Sequence, residues 1–364
     1  MRKLYPAILV LFSHPVLAQP QLAAKLDSLF RQQPHDQPGI ALSIEKNGQI
    51  IYRKTAGLAD KSTGALLDSA SNFRMASLTK QFTAIGILLL EKEHRLSLDE
   101  SIRHWLPEIP AGIGNRILIR HLLTHSSGLL DYESLIPPTQ TRQVVDIDVL
   151  HLLQSQDTTY FTPGTRFRYS NSGFCLLALI IERASHQPYA AFIKEKIFQP
   201  LNMDNSLVYE KGHAIPHRAM GYARNSTGHI IPSDQSVTSA TKGDGGIYTS
   251  LTDYSKWIRA LQDNRFLRLP SALRRLRFPI TGLPNSYYAA GWFITGNSPL
   301  ILFHSGSTSG FANFVVQVPE DEWSIVYFSN LADNTAPFKD IVHIIKETGA
   351  GDFSQIFALQ ELTQ

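Results

Sequence analysis

Three serines in this chain stand three residues ahead of a lysine, in SIEK (43–46), SLTK (77–80) and SATK (239–242). A hydroxyl beside an amine is a nucleophile next to a group that can steer its proton, the pairing that acyl transfer through a serine ester needs. Spacing alone does not choose among the three; the backbone that carries them does. SIEK lies in alternating, strand-like sequence, where residues three apart face opposite sides, so Ser43 and Lys46 cannot share a site. SATK runs into GDGG, whose glycines suit a tight turn or a close backbone approach rather than a helix. SLTK opens the helical pattern QFTAIGILLLEKEH, in which Ser77 and Lys80 share one face. FTAIGILLL is apolar around its whole circumference, the mark of a helix buried on every side. Near such a helix start the Ser77 N–H has no intrahelical acceptor and can donate to a developing oxyanion. The competing structural reading makes Ser77 or Thr79 a helix cap and lets Lys80 snorkel to water.

Two more motifs weigh against that reading. YSN (169–171) is the only Y-x-N in the chain and precedes a helical pattern from Ser172; HSG (304–306) is the only H-x-G and ends the strand-like PLILF. Alone, Tyr169 would be a core aromatic near a turn and Asn171 a helix cap. As a set, SLTK, YSN and HSG, in that order and separation, resemble the active-site motifs of the serine β-lactamase and penicillin-binding protein superfamily. The resemblance is greatest to its class C-like branch, which holds D-alanyl-D-alanine carboxypeptidases, D-aminopeptidases, β-lactamases and esterases. It extends over residues 36–330 through GIALSIEKNGQIIYRKTAGLAD, IRHLLTHSSGL and GDGGIYTSLTDYSKW.

The resemblance implies that Ser77 is acylated with Lys80 holding positive charge beside it. It makes Tyr169 the general base and later acid, and Asn171 a hydrogen-bond partner of Lys80 and the substrate. Whether Lys80 or Tyr169 takes the first proton is left open. The implied oxyanion hole joins the N–H of Ser77 to that of Ser307, the residue after Gly306. His304 stands where most β-lactamases carry lysine. Imidazole is ordinarily mostly neutral at pH 7, so efficient β-lactam turnover is not expected. Affinity for a carboxylate ligand is expected to rise as pH falls through the titration of His304. The implied activity is an exported D-amino-acid peptidase or carboxypeptidase-like enzyme acting on a small-molecule or peptide acyl substrate. A carboxylesterase or weak β-lactamase would use the same site; a catalytically retired scaffold is the reading from another class, against which the intact motifs argue.

Other chemistries find little footing. No G-x-S-x-G occurs, and His121 and His125, four apart in RHLLTH, lack H-E-x-x-H or an obvious third ligand, so neither metal nor cofactor is expected. Cys175, the sole cysteine, cannot form an intrachain disulfide and reads as a core residue of FCLLALII. A net charge of +3, with no basic run interleaved with aromatics, gives no sign of nucleic acid. Oligomeric state is not legible.

The elements that must position these residues follow from periodicity. GIALSIEKNGQIIYRKTAG alternates about Asn47-Gly48 as a hairpin. AAGWFITG, PLILFHSG, FANFVVQV and WSIVYFSN read as short strands, and APFKDIVHIIKET closes as a helix. Between them, helices are expected over 79–93, 146–156, 172–185 and 188–197. This predicts an α+β fold: an antiparallel sheet built from both termini and flanked by helices (19–75 and 245–364), with a mainly helical domain (76–244) inserted. Residues 1–18, with Arg2 and Lys3 before an apolar stretch and a small residue at 18, read as a cleaved secretory leader, hence a periplasmic or secreted protein with no stable membrane span after cleavage.

Overall fold

The computed structural model describes residues 18–296 and 299–363, so the expected leader lies outside it except for Ala18. Asn47 and Gly48 both take positive φ, 52° and 68°, the turn that matches the twist of paired strands. It joins β1 (Ile40–Lys46) to β2 (Gln49–Ala56). Six more strands come from the C-terminal third: β3 (Phe278–Pro279), β4 (Tyr287–Ala289), β5 (Trp292–Thr295), β6 (Ile301–Thr308), β7 (Phe311–Val318) and β8 (Trp323–Ser329). The eight form one antiparallel sheet in the order β3-β4-β5-β6-β7-β8-β1-β2. Its seam, where the chain's two ends meet, runs from Ile40 opposite Ser329 to Lys46 opposite Trp323.

Both faces of the central strands β5 to β8 and β1 are dry, which explains strands more continuously apolar than a half-wet sheet would need. Ile40, Leu42, Ile44, Phe314, Val316 and Tyr327 point to one side, against the helices α1 (Ala18–Arg31) and α5 (Ala336–Glu347) through Leu22, Leu26, Phe338 and Ile341. Ala41, Val315, Val326 and Phe328 point to the other. There the core is continuous with the apolar helix α2 (Thr79–Lys92), with α3 (Asn171–Ser185) and with α4 (Leu251–Gln262). Phe82 of α2 stacks on Trp257 of α4 at 4.2 Å between ring centroids. Gly86 lets α2 lie close to α3, because a Cβ there would stand 2.9 Å from the Ile181 side chain. Residues 76–244, proposed as an inserted lobe, therefore share one core with the sheet.

The expected helices appear at 79–92, 146–154, 171–185 and 189–193, the last continuing into a wider turn through Phe198. AAGWFITG departs from expectation: its WFIT forms β5, its first alanine ends the preceding β4, and the two strands fold about Ala290 and Gly291 at φ 50° and 92°. Alanine carries no turn signal, and the bend is imposed by tertiary contact. The Ala290 N–H donates to the Leu123 carbonyl at 2.8 Å, and a Cβ on Gly291 would stand 2.7 Å from the Gln81 nitrogen. The hairpin thus abuts α2 one residue beyond Lys80.

Candidate active site

Ser77 sits in a single tight helical turn, Ala76–Leu78, that feeds directly into α2. Ala76, just ahead of it, holds φ at 48°, a left-handed conformation that a non-glycine residue adopts only when its surroundings demand it. The nucleophile candidate is partly exposed, whereas Lys80, one turn on, is fully buried. Its ammonium donates to three acceptors: Ser77 Oγ at 3.0 Å, Asn171 Oδ1 at 2.8 Å and the Asp244 carbonyl at 3.0 Å. Three acceptors use all the donors an ammonium has, so the buried charge is satisfied.

Each acceptor is delivered by a different part of the chain. Asn171 is the first residue of α3, and its NH2 donates onward to Glu133 Oε1 at 3.1 Å. Asp244 belongs to GDGG, whose first glycine permits the approach: a Cβ on Gly243 would stand 2.2 Å from the Phe174 carbonyl of α3. Asp146 holds this loop from behind, accepting from the Lys242 and Gly243 N–H groups at 2.9 and 3.1 Å. Burial, aided by the charge of Asp244, pushes the Asp146 carboxyl up to about 7.

Tyr169 lies over the ammonium, with Lys80 Nζ 5.0 Å from its ring centroid. Its ring runs parallel to Phe293 of β5 and packs on His125 at 4.2 Å. The phenol oxygen is buried and has no hydrogen-bond partner among the described residues. The ring borders the Lys80 ammonium, and no described protein group occupies the hydroxyl.

The third motif enters along β6. A Cβ on Gly306 would stand 2.1 Å from the Met75 carbonyl, so only glycine lets this strand meet the chain entering the Ser77 turn. Asn313 of β7 fastens the two, donating to the Arg74 carbonyl at 2.8 Å and the Gly306 carbonyl at 3.2 Å. Ser307, opposite Ala312 on β7, is exposed at the strand's end. Gly306→Ala should therefore push β6 off the Ser77 turn. We expect it to slow acylation by about 100-fold, since an ångström-scale misplacement has that effect, and to cost roughly 1–3 kcal/mol by overcrowding. Acylation rates and denaturant melts measure both, and an equally fast, equally stable variant would contradict this contact.

His304 lies on β6, as its motif placed it, with the imidazole turned into the protein interior. The imidazole is fully buried among Phe293, Tyr288 and Tyr169. Nδ1–H donates to the Ser305 carbonyl at 2.6 Å, and Nε2 accepts from the Tyr288 hydroxyl, 3.1 Å away. Both nitrogens are engaged in the neutral form. Burial depresses the pKa to about 3, with the charge of Lys80 acting the same way. Enclosure and the two hydrogen bonds favour the neutral ring, which weighs against the expected gain of charge toward a carboxylate ligand.

The two other S-x-x-K pairs are apart in space as in pattern. Ser43 bonds Glu45 and Arg53 while Lys46 lies over Trp323; Ser239 closes a turn with Ser236 while Lys242 pairs with Glu210. His121 accepts from the Leu118 N–H at the start of the short helix Ile119–Leu123. Beyond the motifs, the site gathers residues that sequence reasoning did not single out as functional: Glu133, Asp131, Asp244, Tyr288 and Asn313. DYES (131–134) offered a faint signal as a pair of acids near the THSSGL loop. The Glu133 carboxyl is held above its usual range by loss of water and by the charges of Asp244 and Asp131.

Comparison with known proteins places the chain and its fold. The family model described as Beta-lactamase matches residues 26–350. Penicillin-binding protein 4* of Bacillus subtilis (strain 168) is 32% identical over 332 residues, which cover 85% of this chain and 72% of that protein. Protein flp of Staphylococcus aureus (strain NCTC 8325 / PS 47) is 28% identical over 307 residues, covering 82% of this chain and 61% of its own length. Among solved structures, the octameric penicillin-binding protein homologue from Pyrococcus abyssi superposes with a TM-score of 0.77 at 24% identity, over 91% of this chain and 77% of that one. D-amino acid amidase from Ochrobactrum anthropi SV3, complexed with L-phenylalanine amide, does so with a TM-score of 0.74 at 23% identity, over 91% and 99%.

Proposed function

This chain belongs to the Beta-lactamase family and is a serine hydrolase of that fold; we propose that it forms an acyl-enzyme on Ser77 and hydrolyses amides or peptides of D-amino acids. The observation that carries the reading is the single ammonium of Lys80, bonded at once to Ser77 Oγ, Asn171 Oδ1 and the Asp244 carbonyl. Positive charge held against a serine hydroxyl lowers the cost of developing alkoxide. Tyr169, acting as phenolate beside the Lys80 ammonium, would take the serine proton and, as the phenol so formed, return it to the leaving amine. The Ser77 and Ser307 N–H groups, on backbones joined through Gly306 and Asn313, receive the oxyanion. Water then releases the acyl group.

Charge around the site supports a choice among substrates. A neutral, enclosed His304 supplies no cation for a substrate carboxylate, which weighs against a carboxypeptidase or an efficient β-lactamase. Glu133, one hydrogen bond beyond Asn171, is a carboxyl whose raised pKa a bound cation would relieve. An uncharged amide or one bearing an ammonium suits this cleft better than an anion. The amidase among the structural neighbours acts as a fold-level parallel only. We also propose export to the periplasm or medium, on the leader pattern of residues 1–18. Among the described residues no helix is long and apolar enough to cross a membrane.

The test compares three substrates on the purified protein: D-phenylalanine amide, an N-acetyl-D-Ala-D-Ala peptide and p-nitrophenyl butyrate. We expect kcat/KM for the amide to exceed that for the anionic peptide by about tenfold or more, the scale of one unfavourable charge contact. Any tightening of acetyl-D-alanine inhibition between pH 8 and pH 5 should come from neutralisation of Glu133 and vanish in Glu133→Gln, because His304 stays neutral throughout. Preference for the anionic peptide, with tightening toward low pH that persists in Glu133→Gln, would restore the carboxypeptidase reading; turnover of the ester alone would favour an esterase.

A further inference from the structure

We propose that His125, in the THSSGL loop, is the residue that positions Tyr169 for proton transfer. The inference rests on the reading of Ser77 and Tyr169 given above. Tyr169 is carried by an irregular segment, with no strand ladder to hold it, just before α3. Among the described residues its hydroxyl has no partner, so no protein hydrogen bond sets its direction. What aims the phenol must therefore act on its ring and on its backbone. His125 does both.

The His125 carbonyl accepts from the Arg168 N–H at 2.9 Å, and His125 Nδ1 accepts from the Ser170 N–H at 3.2 Å. One residue thus holds the chain on either side of Tyr169. Its ring covers that of Tyr169, with centroids 4.2 Å apart. His125 is itself immobilised: it is 1% exposed, and its ring is flanked by Tyr288 at 4.4 Å and Phe174 at 5.2 Å. It takes φ 52°, which bends the loop so that main chain and side chain converge on the same segment. The loop beyond it continues the grip, Ser126 and Gly128 accepting from the Gly164 and Tyr160 N–H groups at 2.8 and 2.7 Å.

The chemistry explains why this position suits histidine. Accepting from a peptide N–H requires an unprotonated Nδ1, so the ring must be neutral with its proton on Nε2. Burial, and secondarily the charge of Lys80, favours that form. Phenylalanine would supply the ring without the acceptor. Asparagine would supply an acceptor at the δ position and tolerates positive φ, yet has no ring.

A double-mutant cycle tests the assignment, with fluorophosphonate labelling of Ser77 and steady-state hydrolysis of D-phenylalanine amide as readouts. His125→Phe is expected to lower kcat and the labelling rate about 100-fold with KM nearly unchanged, the scale of a misplaced proton acceptor. His125→Asn should retain activity to within about tenfold of the parent, a partial rescue. In a Tyr169→Phe background, either His125 substitution should cost less than about threefold, because its effect passes through a phenol no longer there. If His125→Phe does not fold, the His125→Asn pair completes the same cycle. An undiminished effect in the Tyr169→Phe background, or a loss confined to KM or tracking the thermal midpoint, overturns the positioning role. Failure of the parent to label at Ser77 overturns the underlying catalytic reading instead, so the two are told apart.

Discussion

Ser77→Ala is expected to abolish covalent labelling by a fluorophosphonate or a fluorescent penicillin and to reduce hydrolysis by at least about 10⁴-fold, the scale seen when a nucleophile that acts as a unit with its base is removed. The expectation follows from the uniqueness of the pairing. Of the three serines placed three ahead of a lysine, only Ser77 receives a hydrogen bond from its lysine; Lys46 lies over Trp323 and Lys242 is paired with Glu210. No second pair of this spacing is left to inherit the reaction. Stability should hardly change. Ser77 is partly exposed, and its hydroxyl is one of three acceptors for Lys80, so water can take its place at a cost of about 1 kcal/mol. Mass spectrometry after labelling, beside a thermal melt, separates the two. Label persisting on the alanine variant would place the nucleophile elsewhere, and a collapse of the melt would make Ser77 a structural residue.

Much of this site was legible because its chemistry is written in local pattern. Ser77 and Lys80 share a helix face by spacing, and the uniform apolarity of FTAIGILLL announced that the helix is buried. Antiparallel strands at both ends, too close in sequence for crossovers, implied the sheet that joins them. What escaped depends on contacts between distant residues. The Asp244 bond to Lys80 is made by a main-chain carbonyl, which no residue type reports. Asn313 lies in a strand, and its role arises only from facing the Arg74 and Gly306 carbonyls across it. The enclosure of His304 required β4, and β4 required a left-handed Ala290 that alanine does not advertise. Residue identity named a possible cation there; burial, a property of the assembled sheet, removed the charge.

Burial also makes Lys80 the residue whose removal should most sharply separate function from stability. Lys80→Met is expected to lower kcat/KM by about 10³-fold or more, since the charge beside the serine and the orientation of Asn171 are lost together. The fold should survive. Methionine fills similar volume, and relief of a desolvated cation offsets the roughly 1–3 kcal/mol lost at each acceptor left unpaired, Asn171 Oδ1 and the Asp244 carbonyl. The remaining difference should depend on pH in a definite direction. Asp131 and Glu133 already titrate above their ordinary range, chiefly through burial, and Lys80 holds both down. Removing that cation raises them further. A carboxyl whose folded pKa exceeds its unfolded value binds its proton more tightly when folded, so stability is retained below about pH 4 and falls as pH rises toward the folded pKa. The thermal deficit of Lys80→Met relative to the parent should therefore be larger at pH 8 than at pH 5. A deficit larger at pH 5, or activity within tenfold of the parent, would mean that this ammonium neither restrains the neighbouring acids nor assists the serine.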